Sequence, residues 1–158
     1  FVKLGRVLVG SKSGCVKLVD FESRREISKL KISSPIEYIA VDSASNWFAA
    51  ISSLPNQKSV VLCGSTRSLT QFFQSKPVSF LNRLLFAPVN GGLSILASSP
   101  TPTLFCMPLD LSACVLKLEF EALDAVFDMH VINAQSIVCA GRRLAVIDTN
   151  TVKELVTI

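Results

Sequence analysis

Five mostly apolar residues, a polar turn and a second apolar run make up LAVIDTNTVKELVTI (residues 144–158). Short apolar runs on both sides of such a turn are typical of β-hairpins. The same arrangement occurs three more times, in VKLVDFESRREISKL (16–30), VVLCGSTRSLTQFF (60–73) and LFCMPLDLSACVLKL (104–118). The four turns begin at Asp20, Gly64, Pro108 and Asp148, at steps of 44, 44 and 40 residues. The chain is therefore predicted to repeat one β-structured unit.

The segments between these hairpins repeat as well. Each contains an apolar run, a turn and a second apolar run: IEYIAVD, SASN and WFAAISS from residue 36; RLLFA, PVNGG and LSILASS from residue 83; VFDMHVI, NAQ and SIVCAG from residue 126. A unit therefore reads as four strands, and the equivalent segments share no helical periodicity. Six phenylalanines in this context are expected to pack between sheets: Phe72, Phe73, Phe80, Phe86, Phe105 and Phe120. The predicted fold class is all-β.

Four strands per unit and a period of 40–45 residues resemble the blades of a WD-repeat β-propeller. The positions of the family's Trp-Asp pair read Val19-Asp20, Cys63-Gly64, Met107-Pro108 and Ile147-Asp148. Only Asp20 and Asp148 match the family's Asp, and the Gly-His pair is absent. The resemblance therefore rests on period and strand order, and it implies four-stranded antiparallel blades at about 1–32, 33–76, 77–121 and 122–158. A β-sandwich with coincidental spacing is the alternative.

The number of units predicts an incomplete ring. The first unit lacks a convincing innermost strand, because FVKL (1–4) is too close to VLVGS for an independent turn. About three and a half blades result, whereas closed propellers have 4–8. We expect the remaining blades to come from further sequence or from a partner chain, since an open fan leaves sheet edges that invite pairing.

Composition indicates a folded chain in which most strands are buried on both faces, or a chain that packs against neighbouring chains. Of 158 residues, 49% are hydrophobic and 18% are charged, and the mean hydropathy is +0.47. These values exclude disorder, and no apolar run approaches the roughly 18 residues of a membrane span. The chain begins at Phe1 without a signal-peptide pattern, which predicts a piece of a longer chain. Five cysteines without CxxC spacing are expected to be reduced thiols, as in an intracellular protein of the cytoplasm or nucleus.

Charge is concentrated in the first unit. Residues 1–31 hold eight Lys or Arg and three acids, a balance of +5, whereas the remainder holds eight and nine, a balance of −1. Eight basic residues are candidates for partner binding: Lys12, Arg24, Arg25, Lys31, Lys58, Lys76, Arg142 and Arg143. The functional interpretation is docking to RNA, DNA or an acidic protein. The alternative is a solvated surface that keeps an apolar domain soluble.

The candidate catalytic and cofactor motifs lack the spacing or the structural context that their chemistry requires. GRVLVGSKS (5–13) misses the phosphate-binding spacing by one residue, and a strand-like run follows where a helix should be. The single histidine, His130, stands in an alternating strand without a nucleophile elbow. One histidine and scattered cysteines do not supply metal-ligand spacing, and the pair Glu119 and Glu121 lacks a means of raising one pKa. We therefore predict no enzyme activity, cofactor, metal or small-molecule substrate.

The resulting functional hypothesis is a non-catalytic interaction scaffold, one propeller subunit of a larger multi-protein complex. Its partners are expected to be other protein subunits, without membrane insertion. Motif-poor propellers of this kind occur in ribosome-assembly, nuclear-pore and trafficking complexes, which is what the resemblance implies. The alternative hypothesis is an RNA- or ribonucleoprotein-binding propeller, for example in nuclear ribosome biogenesis, that uses a basic first blade.

Overall fold

The computed structural model describes residues 5–112, 116–119, 125–151 and 153–157. These residues form an all-β chain, as predicted, in four antiparallel sheets that follow one another along the sequence. The first sheet contains β1 (Arg6–Ser11), β2 (Cys15–Asp20) and β3 (Glu26–Lys31). The second contains β4 (Ile36–Val41), β5 (Trp47–Leu54), β6 (Lys58–Ser65), β7 (Phe72–Gln74) and β8 (Val78–Ser79).

The third and fourth sheets each contain four strands. The third consists of β9 (Arg83–Val89), β10 (Gly92–Ser98), β11 (Thr103–Pro108) and β12 (Leu116–Glu119). The fourth consists of β13 (Asp128–Asn133), β14 (Ser136–Ala140), β15 (Leu144–Asp148) and β16 (Lys153–Thr157). Within each sheet, consecutive strands pair with each other, except that β8 pairs with β6. The only helical turn in the described ranges is a 3₁₀ turn at Pro55–Gln57.

The four predicted hairpins lie at equivalent places in the four sheets. They are β2–β3, β6–β7, β11–β12 and β15–β16. Within the described residues, the first sheet begins with the strand that corresponds to the second strand of the other sheets. The FVKL segment lies outside those residues. The described chain forms no closed ring of sheets, so the propeller remains a prediction.

Apolar side chains fill each gap between consecutive sheets. Between the first and second sheets lie Val16, Leu18, Leu30, Ile36, Phe48, Ala50, Leu62 and Leu69. Between the second and third lie Ala49, Ile51, Val61, Cys63, Ile95, Ala97, Phe105 and Met107, with further neighbours. Between the third and fourth lie Leu96, Leu104, Cys106, Met129, Ile137, Cys139, Ala145 and Ile147, with further neighbours. The sheets are thus stacked in chain order.

Strand alternation explains why the chain is so apolar. Successive residues of a strand point to opposite faces, so Phe48 and Ala50 of β5 face the first sheet whereas Ala49 and Ile51 face the third. The middle sheets are consequently buried on both faces, as the composition predicted. Burying one such Ile or Phe side chain contributes roughly 1.5–3 kcal/mol, so this double burial is a major source of stability.

Several local predictions are wrong. The segment PVNGG is not a turn throughout, because β9 extends to Val89 and only Asn90 and Gly91 connect it to β10. Val78 and Ser79 were placed in the third unit (77–121), but they form a short strand that pairs with β6 of the second sheet. Phe72, Phe73 and Phe80 are 37%, 46% and 42% exposed and do not pack between sheets. Phe86 and Phe105 do pack there, and Phe120 lies outside the described residues.

Candidate interaction surface

The connecting loops divide into two groups at opposite ends of the stacked sheets. At one end, the loops join the second strand of a unit to the third, or one sheet to the next. Backbone bonds hold these loops together: the Ile32 amide donates to the Gly14 carbonyl at 2.7 Å and the Ser53 amide donates to the Pro35 carbonyl at 3.0 Å. The Leu81 amide donates to Ser59 Oγ at 3.1 Å. These contacts assign the loops of the first three sheets to a single end.

The fourth sheet joins the same end. The side-chain amide of Asn82 donates to the Val126 carbonyl at 2.8 Å, and the Phe127 amide donates to the Ala140 carbonyl at 2.7 Å. Gly141 lies so close to the Ala125 carbonyl that an added Cβ would collide with it. Glycine at this position therefore lets the loop that carries Arg142 pack against the neighbouring connection.

Six of the eight predicted binding residues lie at this end, and two do not. Those at this end are Lys12, Lys31, Lys58, Lys76, Arg142 and Arg143, all exposed. Arg24 and Arg25 are also exposed, but they belong to the β2–β3 turn at the opposite end. The basic residues of the first sheet therefore do not form one surface, because their strands run in opposite directions.

We call the first end the basic end, and define it by loops 12–14, 32–35, 55–57, 75–77, 80–82, 99–102, 125–127 and 141–143. Within the described residues these loops contain no Asp or Glu. Carboxylates nearby stand on strands, and two are already paired: Glu119 with Lys117, and Asp128 with Arg83. Glu121 and Asp124, which follow β12 in the sequence, lie outside the described residues. The basic end consequently favours an anionic partner.

The opposite end has mixed charge and largely structural carboxylates. Asp20 Oδ1 accepts bonds from the amide and hydroxyl of Ser23, both at 2.7 Å, and these bonds lower the pKa of Asp20. Asp148 accepts from the amides of Asn150 and Thr151 at 2.7 and 2.8 Å, and mainly the Thr151 bond lowers its pKa. The two aspartates that match the WD-repeat position therefore stabilise turns.

Two residues whose side chains make specific contacts were not found from the sequence. Arg83 begins β9, where its Nε lies 3.5 Å from Asp128 Oδ1 and its guanidinium 5.5 Å from the centre of the Tyr38 ring. Asp128 also contacts His130 at 3.2 Å. Partial burial would raise the pKa of Asp128, but bonds from the Met129 amide and His130 and the charge of Arg83 together lower it. Arg83 and Asp128 are distant in sequence, so no local sequence pattern predicts their contact.

The second missed residue is Asp42, which is 5% exposed. Its two carboxylate oxygens accept from the amides of Ala44, Asn46 and Trp47 at 3.1, 2.7 and 2.6 Å. The signal in the sequence is an Asp placed directly after a strand and before the polar turn SASN, a common Asx-turn pattern. Asp42 holds the β4–β5 turn.

A groove of about 560 Å³ opens at the basic end between the second and third sheets. Its lining residues are Gln57, Ser79, Phe80, Ser99, Pro100 and Thr101. Three connections meet here: the 3₁₀ turn, the segment after β8 and the turn between β10 and β11. The groove is therefore a feature of the stacking of two sheets, and neither sheet forms it alone.

The described residues offer little to nucleophilic or metal chemistry. Burial raises the pKa of the Cys63 thiol to about 12, with a smaller contribution from Asp42, so this thiol stays protonated at neutral pH. Cys15, Cys106 and Cys139 are buried as well, and Cys114 lies outside the described ranges. Across the described ranges, no three His, Cys, Asp or Glu residues converge as metal ligands. The His130 side chain is 74% exposed, and its Nε2 contacts the Asp128 carboxylate at 3.2 Å.

No protein-family model matches this chain, and no curated protein matches its sequence. Solved structures do match, in 828 chains. One is a crystal structure of the computationally designed Ika8 protein, at 17% identity and a TM-score of 0.75. The match covers 100% of this chain and 47% of the Ika8 chain, so this chain spans about half the length of that protein. The likeness concerns the fold, and a fold shared so widely does not specify a function.

No helix in the described part of the chain has the length and hydropathy needed to cross a bilayer.

Proposed function

We propose that this protein is a non-catalytic interaction scaffold, in which the four sheets are an arc of a β-propeller within a larger assembly. The observation that carries the proposal is the contrast between filled and uncovered sheet faces. Every gap between consecutive sheets is packed with buried side chains. The outward faces of the first and fourth sheets have no such cover within the described residues, and they present Val9 (45% exposed) and Leu144 (46% exposed).

Further sheets would cover these faces as the middle sheets cover each other. The outward face of the first sheet carries Val7, Val9 and Val19 beside Lys17, and these residues are paired across β1 and β2. That of the fourth carries Val138, Val146 and Leu144. Apolar strand faces of this kind are expected to be buried in the native assembly. The covering sheets would come from further sequence or from a partner chain.

Light scattering after size-exclusion chromatography measures the molar mass of the chain in solution. It therefore tests whether the four sheets are an incomplete arc with uncovered outer faces. We expect these 158 residues alone to self-associate through their uncovered faces. Val9→Glu with Leu144→Glu should yield a smaller species, because charge disfavours burial of those faces. Leu93→Glu is the matched control, since Leu93 is also partly exposed, at 38%, but belongs to the middle of the stack. A stable, folded monomer of the unaltered chain would contradict the proposal.

Purification of the full-length protein from its native source, with and without ribonuclease, tests the scaffold role. We expect defined protein partners to remain bound after ribonuclease treatment. Their complete loss after that treatment would favour the RNA-binding alternative. The scaffold role is contradicted when the protein elutes alone under both conditions at low salt, where charged surfaces interact most strongly.

One observation supports RNA as the second candidate partner. Phe80 and Phe127 are 42% and 53% exposed, and both lie at the basic end, where bases could stack on them. RNA binding there should be lost in Lys12→Glu with Lys31→Glu, and it should persist in Arg24→Glu with Arg25→Glu, because the second pair lies at the opposite end. Equal loss of RNA binding in both variants would indicate that RNA contacts both ends of the first sheet.

A further inference from the structure

The groove between the second and third sheets has the properties of a peptide-binding site. Phe80 forms part of its lining and is 42% exposed. The residue that follows, Leu81, is only 1% exposed, and its amide donates to Ser59 Oγ at 3.1 Å. The Asn82 amide donates to the Ser98 carbonyl at 2.9 Å. Phe80 is therefore held at the surface by fixed neighbours, which reduces the entropy that a partner would have to overcome.

The opposite wall is equally well ordered. The Ser99 amide donates to the Thr103 carbonyl at 3.1 Å, and the Thr101 hydroxyl donates to Ser99 Oγ at 3.0 Å. Pro100 at the tip of this turn adds an apolar surface without a backbone donor. An apolar side chain could lie between Phe80 and Pro100, with hydroxyl groups beside it for backbone bonds. Most ligand pockets combine an apolar lining with a few polar groups in this way.

Two exposed lysines lie close in sequence to residues that line the groove. Lys58 directly follows Gln57 and is paired with Ser79 across β6 and β8. Lys76 precedes β8 by two positions, and Ser75 fixes its loop because Ser75 Oγ accepts from the Val61 amide at 2.9 Å. Both lysines are exposed, and neither forms a salt bridge within the described residues. The described loops around them contain no carboxylate, so a partner with acidic groups is complementary.

We propose that this groove binds an acidic peptide segment whose large apolar side chain lies between Phe80 and Pro100, with its carboxylates near Lys58 and Lys76. The inference rests on the proposed scaffold function and specifies the partner for one site. A peptide fits better than RNA, because one aromatic ring and two separated lysines do not form the continuous basic and stacking track that single-stranded RNA requires.

Selection from a random dodecapeptide display library on the full-length protein tests the proposal. Enriched peptides should share a large apolar residue next to Asp or Glu. Fluorescein-labelled copies of the best peptide then give dissociation constants by anisotropy. Phe80→Ala, and separately Lys58→Glu with Lys76→Glu, should each weaken binding at least about tenfold, as for central interface residues. Replacing the acidic residues of the peptide by their amides should weaken it similarly.

The chain provides matched controls at the opposite end. Phe72 is exposed to a similar extent, at 37%, and belongs to β7. Phe72→Ala should leave the affinity within about twofold. Arg24→Glu with Arg25→Glu changes the net charge as much as the lysine pair does and should also stay within about twofold. Each variant is checked by urea unfolding. Should Phe80→Ala fail to fold, Pro100→Asp on the other wall replaces it, with the same expected loss.

Three results would overturn the peptide site. They are enrichment of peptides without the acidic and apolar pattern, unchanged affinity in the groove variants, and displacement of the peptide by a 12-nucleotide single-stranded RNA that itself requires Lys58 and Lys76. The last result would assign the groove to RNA. Failure of the groove alone remains distinguishable from failure of the scaffold, because protein partners would then co-purify equally with wild type and Phe80→Ala.

Discussion

The two middle sheets and the two terminal sheets are built from the same unit, yet their surroundings differ. In the middle sheets, both faces of the strands are buried: Ala49, Ala50 and Ile51 are consecutive in β5 and each is 0% exposed. In the terminal sheets, strands are buried on one face only: in β15, Ala145 is 0% exposed whereas Leu144 is 46% exposed. The unit is therefore stabilised by its neighbours as well as by its own hydrogen bonds, which is the behaviour of stacked repeats.

The largest expected difference concerns core truncation. Ile51→Ala should lower the free energy of unfolding by about 2–5 kcal/mol, because it removes contacts and leaves a cavity between two sheets. Ile27→Ala on the outward face of the first sheet should change it by no more than about 0.5 kcal/mol. Urea unfolding of both variants measures the difference. Comparable losses in the two would mean that the outward face is already covered in the protein.

A smaller difference is expected between two aspartate-stabilised turns. Asp42 in the second sheet is 5% exposed and accepts three amide hydrogens. Asp42→Ala should therefore destabilise the protein by about 1–3 kcal/mol, since those donors lose their partner in a buried site. Asp20→Ala in the first sheet should have a smaller effect, because water can replace the carboxylate at an exposed turn. Unfolding midpoints measured side by side decide this, and a larger loss for Asp20 would refute it.

The smallest expected effect is a dependence on acid at the aspartate-stabilised turns of the terminal sheets. Hydrogen bonds lower the pKa of Asp20 and Asp148 in the folded protein. Their contribution to stability is therefore complete above the unfolded value of about 3.9 and is lost as pH falls through the lower folded values. Amide exchange at Ser23 and Thr151 should accelerate relative to the core over this range. In Asp20→Asn with Asp148→Asn, that acceleration should be reduced.

Glu22→Gln is the control for the acid experiment. Glu22 belongs to the same turn as Asp20, but its carboxylate accepts none of the turn amide bonds among the described residues. Exchange at Ser23 in this variant should follow the wild-type pH profile. An equal change in the Glu22 and Asp20 variants would attribute the acid response to net charge and not to the capping bonds.

Much of the fold could be predicted because its signals are local. Alternating apolar residues and turn residues specify strands and hairpins, and their period specified four units, the first of them partial. Predictions failed where a local signal competed with packing. PVNGG contains turn residues, yet Pro88 and Val89 pair with β10, because extension of β9 buries Val89 against the fourth sheet.

The candidate site was predictable only in part. Six of the eight candidate basic residues lie at one end of the sheets, because antiparallel strands send alternate connections to the same end. Arg24 and Arg25 were proposed as partner-binding residues on their charge, and they lie in the β2–β3 turn at the opposite end. Phe80 was assigned to the core on its residue type, whereas the buried position beside it is taken by Leu81.

By itself, the sequence determined the strand order, the hairpins and the repeated unit, since each depends on residues within a few positions of one another. Only the tertiary structure decided which charges share an end, that Arg83 contacts Asp128, and that a groove forms beside Phe80. Those features depend on how one sheet stacks against the next. Residues more than forty positions apart, such as Asn82 and Val126, come together only when the apolar faces between sheets are buried.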